Sequence, residues 1–148
     1  MVMLGAAGLS VTCVVLSVLL QFEIIGWLWS LNLGRGSRTR ARIALSVSCL
    51  IGLHLLEIAV FGFGYLIGKR LFGLGALAAS RPIAVLDVFY YSEEVFSTLG
   101  LGDMYATSYL RMLTSVEALT GMLLLSWSAS FIVVAVQRTV GANQNPQR

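Results

Sequence analysis

The chain has 148 residues, of which 57% are hydrophobic and only 11% charged. A soluble domain of this size could not cover itself with polar surface from such a composition, so the chain reads as an integral membrane protein. Three spans of roughly 20 residues or more use most of the length and leave no room for a separate catalytic or ligand-binding domain; the net charge of +3 is small, and its placement matters more than its size.

The first predicted span is residues 4–31, within an N-terminal segment 1–31. No basic residue precedes it and no small-residue cleavage site is obvious, which favours a span over a signal peptide. Trp27 and Trp29, near its end, suit an aromatic belt at the membrane interface. Glu23 reads as an intramembrane carboxylate, an interfacial one, or the partner of an arginine further on. Residues 32–42 are expected to form a loop, because Gly34, Gly36 and Ser37 break the helix. Arg35, Arg38, Arg40 and Arg42 put that loop in the cytoplasm by the positive-inside rule, with binding of anionic lipid as their second reading. They do not form a voltage sensor, which needs basic residues at every third position of a helix inside the membrane. Cys13 and Cys49 lie in apolar segments without metal-ligand spacing and read as packing residues.

Residues 43–68 are the second span. His54 and Glu57 are three apart and share a face, at a depth where ionisable groups are expensive. They read either as a proton-sensing pair or as a hydrogen-bonded pair facing the bundle. Residues 69–82 are expected outside the membrane. Pro82 suits the first turn of a helix, which predicts a helix over 83–97. At roughly 15 residues that helix is too short to cross, so it must enter and return on one side. It leads into Thr98-Leu99-Gly100-Leu101-Gly102-Asp103. Glycine costs about 1 kcal/mol in a helix and is used where φ is positive or a backbone must come close. Non-helical backbone at membrane depth survives only when buried in protein or lining a water-filled cavity. A backbone that alternates glycine with L-residues can turn successive carbonyls to one side, and a row of carbonyls is a cation site. Residues 109–138 are the third span, with Gly121 midway and Ser115, Ser126, Ser128 and Ser130 making it moderately polar; 139–148 read as a short cytoplasmic tail.

The run 98–103 resembles the selectivity filter of potassium channels, usually T-V-G-Y-G-D. The likeness extends to both flanks. Phe89 to Ser97 (F-Y-Y-S-E-E-V-F-S) is similar to the family's pore helix, with Tyr90-Tyr91 at its aromatic pair. Arg111 to Gly121 (R-M-L-T-S-V-E-A-L-T-G) is similar to the start of the inner helix in small bacterial channels. The resemblance covers residues 43–138: outer helix 43–68, pore helix 83–97, filter 98–103 and inner helix 109–138. It implies an all-α membrane fold of three transmembrane helices with a re-entrant pore loop. It also implies a homotetramer, since one chain supplies one strand of each oxygen ring.

The same resemblance assigns roles. The carbonyls of Thr98, Leu99, Gly100 and Leu101, with the Thr98 hydroxyl, would hold potassium, while Gly100 and Gly102 permit the alternating backbone. Tyr91, Glu94 and Asp103 would support the filter. In some family members the carboxyls at the last two positions share a proton, because two adjacent buried carboxylates cannot both ionise easily; the alternative is that Glu94 lies on a solvated face. Glu93 is given no role. Gly121 reads either as the bend of a gating helix or as a close packing point. The departure is Leu101, where tyrosine is usual. It keeps the packing behind the filter and loses a hydroxyl. Some two-pore-domain potassium channels resemble this chain in carrying G-L-G, so the expectation is a filter selective for potassium but leakier to sodium. The implied function is passive potassium conduction across a prokaryotic plasma membrane, N-terminus outside and C-terminus inside, with potassium as permeant ion and no cofactor. The alternatives are a non-selective cation channel of the same architecture and a non-conducting regulatory membrane subunit. No Ser/His/Asp set or phosphate loop points to an enzyme, and no nucleic-acid partner is expected.

Overall fold

A computed structural model of the chain describes residues 2–32 and 39–144. The frame is three long helices, α1 (Val2–Asn32), α2 (Thr39–Arg70) and α4 (Leu110–Gln144), with a short α3 (Val85–Phe96) between the last two. Val2–Leu31, Ala41–Arg70 and Leu110–Arg138 are each long and apolar enough to cross a membrane. α1 packs on α2 and α4, these pack on each other, and α3 lies against both α2 and α4.

The seam that α1 buries is small and polar. Ala6, Ser10, Cys13, Ser17 and Gln21 recur every three or four residues and are buried, whereas Leu4, Val11, Leu19 and Phe22 are exposed. In lipid, large apolar side chains gain little by moving from acyl chains into protein, while small ones let backbones approach. Gln21 adds a polar tie: its Nε2 donates to the Leu124 carbonyl at 3.1 Å and to Ser128 Oγ at 2.9 Å, joining α1 to α4. The core falls into two clusters. One gathers Phe61, Tyr65, Val88, Tyr91, Phe96, Leu110 and Leu113 around α3. The other sets Leu28, Leu50, Leu53 and Phe131 at the far end of the bundle. There Trp29 packs on Phe131, with ring centroids 5.6 Å apart, and Arg138 lies 4.3 Å over the Trp29 ring. Trp29 is therefore a packing centre, while Trp27 and Glu23 are exposed.

Three boundaries differ from the sequence reading. α2 begins at Thr39, so Arg40 and Arg42 belong to the helix rather than to a loop ending at 42; Gly34, Gly36 and Ser37 all precede this start in the sequence. Arg35, Arg38 and the side chain of Arg40 fall outside the described residues. α4 continues through the expected tail to Gln144, since each added residue of a formed helix closes one more hydrogen bond. α3 starts at Val85, not 83, and Pro82 does not open it. The start is set instead by Asp87, whose Oδ2 accepts the Ala84 N–H at 2.7 Å. Arg81 holds that carboxylate with two hydrogen bonds of 2.9 and 2.8 Å.

The Arg81 guanidinium, and after it the Ala84 N–H, hold the Asp87 carboxyl below its ordinary value of 3.8. A depressed carboxyl stabilises the fold above its ordinary value, and that contribution is lost as pH falls through the lowered one. Asp87→Asn is therefore expected to flatten the acid limb of the thermal-stability profile at pH below 3.8. A mutant profile that falls as steeply as the wild type there would remove the pair from the account.

One element was not expected. β1 (Leu77–Ala79) and β2 (Met104–Ala106) pair antiparallel, with Leu77 opposite Ala106 and Ala79 opposite Met104. Thr107 extends the tie. Its N–H donates to the Ala76 carbonyl at 2.9 Å, and its Oγ1 accepts the Ala76 N–H at 3.0 Å. The ribbon thus pins the two ends of the excursion that carries α3 and residues 97–103.

Candidate functional site

α3 ends in a defined stop. The Leu99 N–H donates to the Glu94 carbonyl at 3.0 Å and the Thr98 N–H to the Val95 carbonyl at 3.0 Å. These are the two bonds of a Schellman motif, which places Thr98 at the left-handed position usually given to glycine. Thr98 has φ +58°. A non-glycine residue there costs of order 1–3 kcal/mol, strain of the kind stored at functional sites. Glycine would relieve it but would remove the hydroxyl.

The left-handed conformation then recurs at every second residue. Gly100 has φ +59° and Gly102 +79°, while Leu99 and Leu101 between them stay at negative φ. Alternating handedness is the backbone pattern that lets consecutive peptide carbonyls face one side. Thr98 to Asp103 are all exposed in the protomer, Leu99 at 65% and Leu101 at 61%.

Glu94 holds this segment from behind. It is buried on α3. Its Oε1 accepts the Gly102 N–H at 3.0 Å, and its backbone carbonyl accepts from Leu99 and, at 3.5 Å, from Gly100. The bonded partner of its carboxyl is thus a backbone amide eight residues on, rather than Asp103. The reading of Glu94 as a solvated face is overturned by its burial. Asp103 is exposed, and with Glu94 it is an electrostatic neighbour of the Tyr90 hydroxyl. Tyr91 is buried on α3. Its hydroxyl meets Thr114 Oγ1 on α4 at 3.1 Å, and its ring stands edge-on to Tyr65 at 5.3 Å.

The other expected residues fall beside α3. Gly121 on α4 lies against the end of α3, where an added Cβ would come within 2.1 Å of the Phe96 carbonyl oxygen. His54 Nδ1 and Glu57 Oε2 are 2.8 Å apart, and the His54 ring packs on Phe96 at 5.9 Å. Ser115, Ser126 and Ser130 turn their hydroxyls back to carbonyls four residues earlier, at 3.0, 2.7 and 2.9 Å.

A second polar group was missed in the sequence. Glu117, fully buried on α4, accepts hydrogen bonds from Tyr65 on α2 and meets Ser92 on α3. The signal was present, because an ionisable residue in a transmembrane segment is a functional candidate by default.

The model of the ion channel family matches residues 53–138, which takes in α3, the alternating segment and the span of α4. The inward rectifier potassium channel Kirbac3.1 of Paramagnetospirillum magnetotacticum is 30% identical over 93 residues, covering 62% of this chain. The match spans 30% of that relative's length. No solved structure matched.

Proposed function

The chain belongs to the ion channel family, and from that premise we propose that four copies of it form a potassium-selective channel through which the ion passes down its gradient. The observation that carries this is the alternation of positive φ at Thr98, Gly100 and Gly102 on an exposed segment held by α3. Potassium must exchange its water shell for oxygens at nearly equal free energy, or it will not enter or will not leave. The carbonyls of Thr98, Leu99, Gly100 and Leu101 and the Thr98 hydroxyl supply those oxygens. A single strand supplies one oxygen per level, so a closed ring calls for several copies around one axis. The similarity to a protein named as a potassium channel supports the choice of ion.

The remaining roles follow from position. Glu94 keeps the filter extended through the Gly102 N–H. The His54–Glu57 pair abuts Phe96, where a change of its protonation would reach the filter through the end of α3. Anionic lipid is the partner we assign to Arg35, Arg38, Arg40 and Arg42, with the C-terminus in the cytoplasm and the N-terminus outside.

Reversal potentials of the purified protein in planar bilayers, potassium on one side and sodium on the other, test the reading. The expected result lies strongly toward the potassium equilibrium potential. Clear currents reversing near zero would favour the non-selective channel, for which the missing hydroxyl at Leu101 is the specific argument. Silence under every stimulus would favour a non-conducting subunit.

A further inference from the structure

We propose that Glu117 is carried as the neutral acid, and that in this form it is the positioning residue that fixes α3 against α2. Its effect on conduction rests on the channel reading; its protonation does not.

The first argument is a hydrogen count. Ser92 Oγ lies within hydrogen-bonding distance of the Ile58 carbonyl, at 2.8 Å, and of Glu117 Oε1. Serine has one hydrogen, and a carboxylate and a carbonyl are both acceptors only. With Glu117 ionised, one of these two contacts would bring bare oxygens together. With Glu117 protonated, its O–H donates to Ser92 Oγ and the Ser92 O–H donates to Ile58. The other oxygen of Glu117 accepts from Tyr65. Beyond it, Tyr91 donates to Thr114 Oγ1 and Thr114 donates to the Leu110 carbonyl, at 3.1 and 3.2 Å. Every hydroxyl hydrogen in the group then has an acceptor, and the contact left without a hydrogen is the long one between the Tyr65 and Thr114 oxygens, at 3.2 Å, rather than the 2.8 Å contact of Ser92 with Ile58.

The second argument is the surroundings. Among the described residues, the titratable groups facing Glu117 are Cys13 on α1, Tyr65 on α2 and Tyr91 on α3. None is a cation. An uncompensated charge at such depth is expensive, whereas a neutral acid with its hydrogen bonds made costs far less.

The consequence lies in what the acid joins. Ile58 and Tyr65 belong to α2, and Tyr91 and Ser92 to α3, while Glu117 and Thr114 reach them from α4. Ser92 stands two residues before Glu94, whose carboxyl holds Gly102. A loosened Ser92 would therefore be felt at the filter.

The test combines infrared spectroscopy and bilayer recording on the full chain. Wild-type protein at neutral pH is expected to show a protonated-carboxyl stretch that disappears in Glu117→Gln. That variant, whose amide can donate to Ser92 and accept from Tyr65, should keep potassium conductance and selectivity within about twofold. Glu117→Ala and Ser92→Ala should each lower selectivity for potassium over sodium by about tenfold. Absence of the band, or loss of selectivity in Glu117→Gln as deep as in Glu117→Ala, would overturn the proposal. The band in a wild-type protein that passes no current would uphold the neutral acid and count against the channel reading.

Discussion

Gly121→Ala is expected to be one of the most damaging single-methyl changes among the described residues. The new carbon would stand 2.1 Å from the Phe96 carbonyl oxygen, 2.8 Å from its carbon and 3.0 Å from its Cα. All three atoms are backbone, so no side chain can rotate aside. Phe96 cannot move freely either, since it is 1% exposed and packed between His54 and Phe61. The strain must therefore displace either α4 or the end of α3, two residues before Thr98, where the proposed filter begins. Overpacking of a tight core costs about 1–3 kcal/mol, and a backbone obstacle puts this site at the upper end. The expected result is a marked fall in thermal stability together with a loss of potassium selectivity. The bending-helix reading predicts otherwise. If glycine were needed only for flexibility, alanine would leave stability and selectivity intact and alter only the fraction of time the channel is open. Recordings with normal selectivity, altered open probability and an unchanged melting temperature would return Gly121 to the role of hinge.

How far the sequence could be read follows from where each kind of information lies. The three spans are legible because apolar length alone sets them. The alternating segment is legible because Gly100 and Gly102 mark positive φ, although Thr98 joins them without any mark in its residue type. The ribbon is not legible: Leu77–Ala79 and Met104–Ala106 are three residues each and lack β-branched side chains. They pair because the ends of the α3 excursion must return to the same place. The partner of Glu94 is equally hidden, since a backbone N–H such as that of Gly102 is not distinguished by any letter in the sequence. The choice between Asp103 and Gly102 needed the turn at Thr98 to be known. Glu117 was visible as a charge in a span, but its neighbours come from two other helices and depend on their rotation.

Glu94→Ala and Glu94→Gln should separate sharply. Alanine removes the acceptor of the Gly102 N–H and leaves that amide, in the proposed filter, without its partner from α3. The loss of a buried acceptor costs about 1–3 kcal/mol, and each 1.4 kcal/mol is about tenfold in an equilibrium between ordered and collapsed filters. Glu94→Ala is thus expected to inactivate at least tenfold more readily than wild type, or to lose potassium selectivity outright. Glutamine keeps an oxygen at the position of Oε1 and should behave nearly as glutamate does. Its amide nitrogen would fall where Oε2 now lies, buried and without a bonded partner among the described residues, so a small cost is expected there. If glutamine instead fails as badly as alanine, the proton or the charge of Glu94 is what the filter requires. The shared-proton arrangement with Asp103 would then regain its place, formed in the assembled ring rather than within one protomer. Pairing either substitution with Asp103→Asn decides between the two. Independent effects support the amide tie, whereas non-additive ones support the carboxyl pair.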